Sequence, residues 1–202
     1  MSLKIVAYCG KDWVRATRAA AKGTPFTCPP TSTEDGIEAV LKAAATSDIF
    51  YLNLHGYPGQ SNYFGQDGKS IGPTALTPEL VSRYRWDDVV IFAEVCFSAL
   101  DGGSAIAKAF LAHGAKAFIG STTEAYGRTK PTAWDGEADR LMFLFWRCYT
   151  IQKDPAKALD KAKGWLRVLS IPLDADDKAT LASFVCLTGD TDGKQNDEKP
   201  VR

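Results

Sequence analysis

The chain reads as an α/β protein whose mainly parallel sheet is covered by helices on both faces. Three observations predict this. Several apolar runs have the length of strands, and they are nearly unbroken by polar residues, as strands buried on both sides are. Stretches with helical periodicity separate them, which is the alternation that builds crossover-connected sheets. At 202 residues the chain fits one large domain, and it shows no internal repeat and no linker.

The elements follow in order. Residues 3–8 (LKIVAY) form the first strand, and residues 12–22, rich in Ala and Arg, a helix stopped at Gly23. Residues 25–28 make a short edge strand, because Pro29 and Pro30 forbid a long one. Ser32 or Thr33 caps the next helix, which buries Ile37, Val40, Leu41 and Ala44. Residues 48–54 (DIFYLNL) are a buried strand ending at His55, and residues 56–73, full of Gly, Tyr, Asn and Gln, read as a loop. A short helix over 78–84 leads to the strand 89–93 (VVIFA), which ends near Cys96. Gly102 and Gly103 open a helix through His113, closed by Gly114, and the strand 116–120 follows with a polar segment over 121–132. Two long helices span 133–151 and 155–169, with Pro172 beyond them, and 183–187 (SFVCL) is the last strand. The remainder is polar, too poor in apolar residues to pack, so the domain is expected over 1–190 and a flexible tail over 191–202.

Composition excludes several classes of function. The 24 acidic and 24 basic residues balance, which argues against a nucleic-acid binder or a partner of anionic membranes. No apolar run approaches the ~20 residues that span a bilayer, and no basic-apolar leader opens the chain. The cysteines, Cys9, Cys28, Cys96, Cys148 and Cys186, are odd in number and form no C-x-x-C pair, as in a reduced, cytoplasmic protein. No His/Cys/Asp cluster has metal-ligand spacing, no Gly-rich nucleotide loop is present, and no cofactor is implied.

Chemistry in open parallel sheets gathers outside the carboxyl ends of the strands. Two apolar strands here end in reactive side chains, one at His55-Gly56 and one at Cys96, with room between them for a single crossover. A neutral imidazole beside a thiol can take its proton, and the thiolate is the competent nucleophile. The amides of Gly56 and Cys96 are then candidates to hold a developing oxyanion. His113, at a helix end where its charge suits the helix dipole, reads as structural.

An apolar block, His-Gly, a second apolar block and Cys resemble the caspase–gingipain–clostripain clan of cysteine peptidases. Two further segments resemble its gingipain and CHAT-type branches: Phe118-Ile119-Gly120-Ser121 and Phe184-Val185-Cys186-Leu187-Thr188-Gly189-Asp190. The likeness runs over roughly residues 3–190. It implies a three-layer α/β/α sandwich that hydrolyses peptide bonds through an acyl-enzyme on Cys96, with His55 as proton carrier. It also leaves room for a regulatory partner protein or a flanking domain. Where many relatives carry Ala before the nucleophile, this chain has Glu94-Val95-Cys96. Glu94 either raises the thiol pKa by like-charge repulsion, faces away, or contacts substrate. In such enzymes a charge in the loop after the first strand selects the residue before the scissile bond. Asp12 would select Arg or Lys, and Lys11 or Arg15 would select Asp; a short carboxylate, buried against the substrate, favours the first. Tyr126 and Trp134 are candidates to wall the pocket.

Two other readings compete. One is an inactive caspase-like module that binds or scaffolds. The other starts from Cys9 and Arg15, which have the C-x5-R spacing of small phosphatases and arsenate reductases, with Asp154-Pro155 as general acid. In that reading Asp12 and Trp13 crowd a loop that should be small, and His55 has no role.

Overall fold

The computed structural model describes residues 3–23, 26–27, 34–67, 70–125, 137–168 and 175–189. Strands β1 (Ile5–Cys9), β2 (Phe26–Thr27), β3 (Ile49–Asn53), β6 (Val90–Glu94), β7 (Ala117–Ser121) and β8 (Phe184–Leu187) form one sheet in the order β2-β1-β3-β6-β7-β8. Strands β4 (Tyr63–Asp67) and β5 (Ser70–Leu76) pair separately. All neighbours in the large sheet are parallel except β7 and β8. The five strands predicted as the core therefore share one sheet.

Successive side chains of a strand point to opposite faces, so each apolar run serves two cores. Phe50, Leu52, Ile91, Ala93 and Phe118 pack under α2 (Glu34–Ala44), α3 (Pro78–Ser82) and α4 (Ala105–Ala112). Ile49, Tyr51, Val90, Phe92 and Ile119 face the other layer, α1 (Val14–Ala21), α5 (Glu137–Gln152), α6 (Pro155–Val168) and α7 (Ala175–Ser183). The result is a three-layer α/β/α sandwich. Ile37, Val40, Leu41 and Ala44 form the buried stripe of α2, as their spacing predicts.

Four local expectations change. The first helix begins as a turn of 3-10 helix over Lys11–Trp13, and its end is made by Lys22 in the left-handed region (φ 54), one residue before Gly23. Lys22 donates its N–H to the Arg18 carbonyl, and that bond offsets a conformation costing roughly 1–2 kcal/mol without glycine. The segment predicted as a loop contains the β4–β5 hairpin, whose register is irregular between Tyr63 and Gln66. Gly and polar residues interrupt the apolar pattern of such a strand, while Tyr63, Ala75 and Leu76 bring their side chains to the core. Helix α7 was not predicted; Asp176 and Asp177 in its first turn suit the helix dipole, but Leu181 is its only large buried apolar residue. Helix α4 is opened by Ser104, whose hydroxyl accepts from the Ala107 amide, after Gly102 and Gly103 have turned the chain at φ 78 and 112. The expected caps Ser32 and Thr33, and the tail over 191–202, lie outside the described residues. Among the described residues no helix is long and apolar enough to cross a membrane.

Candidate functional site

The first clue to the site is register. β3 and β6 are adjacent and parallel, with Asn53 opposite Glu94. His55 and Cys96 each follow two residues later, so they leave the sheet at equivalent positions of neighbouring strands, whose backbones lie about 5 Å apart. Both are half-buried. Gly56 sits directly on the segment that follows β6: a Cβ there would collide with the Cys96 carbonyl oxygen and lie 2.6 Å from Val95 Cγ1. Glycine after the histidine is therefore a packing requirement. Among the described residues, neither the Gly56 nor the Cys96 amide donates to a backbone carbonyl.

The chain turns sharply after Cys96. Phe97 adopts φ 58, a left-handed conformation that costs a non-glycine residue on the order of 1–2 kcal/mol. Hydrogen bonds to the end of β7 and the segment after it hold it there: Phe97 N–H to the Thr123 carbonyl at 2.8 Å and Ala99 N–H to the Ser121 carbonyl at 2.9 Å. Gly120 makes room for this turn, because a Cβ would strike the Ser98 hydroxyl and lie 3.3 Å from Ala99 Cβ. The Ala125 amide donates to Cys96 Sγ at 3.3 Å. The Gly-Ser pair ending β7 thus has a local purpose, to seat the turn after Cys96.

Burial pushes the Cys96 thiol pKa upward, and the carboxylates of Glu124 and Glu94 push it further. The thiol is accordingly protonated at rest near neutral pH. The Ala125 amide works in the opposite direction.

His55 is clamped from several sides. Its backbone exchanges hydrogen bonds with Phe64 of β4, at 2.7 and 2.9 Å, and its Nε2 lies 2.5 Å from Gln66 Oε1 on the same strand. The Trp13 ring meets the imidazole edge-on with centroids 4.7 Å apart, and the Tyr57 ring lies near-parallel at 6.2 Å. The Tyr57 phenol pKa is raised by burial and then by the negative charge that Cys96 carries when ionised.

Glu94 is 4% exposed and turned toward the α5 layer, where its carboxyl accepts the Tyr51 hydroxyl. The Tyr51 oxygen is also 3.1 Å from Asp139 Oδ1 of α5. Burial, then the charge of Asp139, holds the Glu94 pKa well above the usual carboxylate range. Burial likewise lifts Asp139 to about 6. A phenol carries one proton, so it can donate to only one of the two carboxyls, and the other contact forms when that carboxyl is itself protonated. Glu94 is thus held by Tyr51 on the α5 side of the sheet.

Asp12 lies on the exposed turn whose Trp13 touches His55. It shares the rim with the candidate dyad, but it is not the buried carboxylate expected there; the buried carboxyls at this end of the sheet are Glu94 and Asp139. Tyr126 and Trp134 lie outside the described residues. Gln66, Tyr57 and Asp139 were not singled out from sequence. Gln66 stood in a supposed loop, and Asp139 reaches the site only because α5 packs on Tyr51.

The phosphatase geometry is not formed. Cys9 is fully buried, with Sγ 3.9 Å from the Phe26 carbonyl. Asp154 caps α6 by accepting from the Lys157 amide at 3.1 Å, beside Gly114 and Lys116 at the start of β7, the opposite end of the sheet from Cys9. His113 is structural as read: its Nδ1 is 2.9 Å from the Ala109 carbonyl. Among the described residues no group of His, Cys, Asp and Glu could hold a metal ion.

No protein-family model and no curated protein matches the chain. A solved structure described as "Structure of Protease" aligns with a TM-score of 0.50 at 13% identity, over 92% of this chain and 46% of that one. The chain thus spans about half the length of that protein. The likeness is one of fold.

Proposed function

We propose that this chain is a caspase-like cysteine endopeptidase with Cys96 as nucleophile and His55 as proton carrier. The observation that carries this reading is the registered placement of His55 and Cys96 at the tips of adjacent parallel strands, with the Gly56 backbone seated on the Cys96 carbonyl. The fold neighbour described as a protease is in keeping with it.

The chemistry starts from a thiol and a neutral imidazole, because burial raises the Cys96 pKa. As sulfur attacks the scissile carbonyl carbon, the thiol proton passes to His55. The carbonyl electron pair moves to oxygen, where the amides of Gly56 and Cys96 receive it. Collapse of the tetrahedral adduct expels the amine, which takes the proton from His55 and leaves a thioester on Cys96. Water, deprotonated by His55, then releases the acid and restores the thiol.

A basic residue before the scissile bond suits the exposed carboxylates of Asp12 and Glu124, with Lys11 and Arg15 exposed beside Asp12. Glu94 shapes the floor of this pocket, and Tyr126 and Trp134 remain proposed walls. A fluorogenic panel with Arg, Lys, Asp or Leu at the cleaved position tests the reading against Cys96→Ala and His55→Ala. Arg and Lys peptides are cleaved and both variants are inert. Because Asp12 is exposed, its pairing with the substrate is worth roughly 0.2–1 kcal/mol, so Asp12→Asn lowers kcat/KM for Arg peptides by no more than about 5-fold. Hydrolysis that survives Cys96→Ala refutes the nucleophile assignment.

A second reading, an inactive binding module, is favoured by the same raised thiol pKa. Failure of a peptidyl acyloxymethyl ketone to label Cys96 on folded protein would select it.

A further inference from the structure

Gln66 stands on β4 two residues beyond Phe64, across an irregularity in the pairing of that strand. Phe64 is the residue whose N–H and carbonyl hold both backbone groups of His55. Gly10 also comes close to this strand: a Cβ on it would approach the Gln66 backbone nitrogen to 2.9 Å and the Trp13 ring to 3.0 Å. The Gly10 N–H is itself tied to the Asn53 carbonyl at 3.1 Å. The ends of β1 and β3 therefore lie against β4, and from β4 the Gln66 Oε1 lies 2.5 Å from His55 Nε2.

We infer that Gln66 is a positioning residue that sets the tautomer of His55, accepting from Nε2–H so that Nδ1 is left bare to take the Cys96 proton. The inference rests on the dyad reading above. A neutral imidazole has one donor and one acceptor nitrogen, and an amide oxygen can only accept, so this contact requires the proton on Nε2. Trp13 and Tyr57 hold the ring plane, and Gln66 decides which nitrogen is basic. When the ring becomes imidazolium, the same hydrogen bond becomes charge-assisted and strengthens, so it stabilises the transition state more than the resting enzyme. His113 supplies an internal contrast. Its Nδ1 faces the Ala109 carbonyl, which can only accept, so the two histidines of the chain adopt opposite tautomers.

Long-range proton–nitrogen correlation on protein labelled with nitrogen-15 histidine, at a pH where both rings are neutral, reads this directly. Two histidines give two patterns, and His55→Ala assigns them. Wild type shows His55 as the Nε2–H form and His113 as the Nδ1–H form. Gln66→Leu, which keeps the bulk and removes the acceptor, moves His55 toward the Nδ1–H form, lowers kcat roughly 10- to 100-fold and leaves KM within about two-fold. Gln66→Glu retains the acceptor, restores the Nε2–H form and shifts the acidic limb of the kcat/KM profile upward, since a carboxylate stabilises the imidazolium. A wild-type His55 in the Nδ1–H form, or a Gln66→Leu variant with unchanged tautomer, overturns the inference. If His55→Ala cleaves and alkylates as wild type does, the dyad reading fails instead, and the nitrogen spectra still decide what Gln66 does.

Discussion

Replacing Asp139 by Asn tests the buried carboxyl pair through its effect on stability. Asp139 is 6% exposed and shares the Tyr51 hydroxyl with Glu94, and burial lifts its pKa from 3.8 to about 6. The native state therefore binds a proton more tightly than the unfolded chain does. Between about pH 4 and pH 6 the folded protein holds a proton that the unfolded chain has released, so stability falls as pH rises. The contribution is complete below the unfolded pKa and is lost as pH climbs through the folded one. A shift of roughly 2 units at ~1.4 kcal/mol each amounts to about 3 kcal/mol. Asn cannot ionise and keeps a polar contact to Tyr51, so the stability of Asp139→Asn relative to wild type should improve by about 3 kcal/mol between pH 4 and pH 7.5. Losing the negative neighbour also relaxes Glu94, which adds in the same direction. Urea denaturation followed by tryptophan fluorescence at several pH values measures the difference, and titrations common to both proteins cancel. A gap that stays constant across that range would show that Asp139 titrates normally and that the shared-proton arrangement is wrong.

Two other perturbations report on the rim. Gly56→Ala must push the Cys96 carbonyl and Val95 aside, which costs roughly 1–3 kcal/mol of stability and about 100-fold in kcat/KM; a variant with wild-type turnover would show that the close approach is not needed. Iodoacetamide at pH 7.5 should label Cys96 ahead of Cys148, which is 8% exposed, and of Cys186, whose thiol burial pushes to about 11. Peptide mapping by mass spectrometry gives the order, and labelling of Cys9 that phosphate blocks would reopen the phosphatase reading.

The placement of the candidate dyad was legible because His55 and Cys96 sit where short-range patterns end. The runs IFYLN and VIFAE are apolar on both faces, so they had to be central strands, and the residues just past them, His55-Gly56 and Cys96, had to emerge at the carboxyl edge of a parallel sheet. The stripe Ile37, Val40, Leu41 and Ala44 is equally local, since helical periodicity is a property of neighbours in sequence.

What the tertiary structure decided are the pairings between distant residues. That Asn53 lies opposite Glu94, and hence that His55 and Cys96 leave the sheet side by side, is a matter of register, and register depends on how whole faces pack. Tyr51 meets Asp139 across 88 residues only because α5 lies over that face of β3 and β6. Gln66 reaches His55 because β4 returns to the rim as a strand, and the irregular β4–β5 pairing, interrupted by glycine and polar residues, carries no clean two-residue alternation. The same holds for α7, which rests on a single large apolar side chain. Burial and hydrogen bonding to remote groups also set the protonation of Glu94, Asp139 and Cys96, because the energy of a charge depends on what surrounds it after folding and not on its neighbours along the chain.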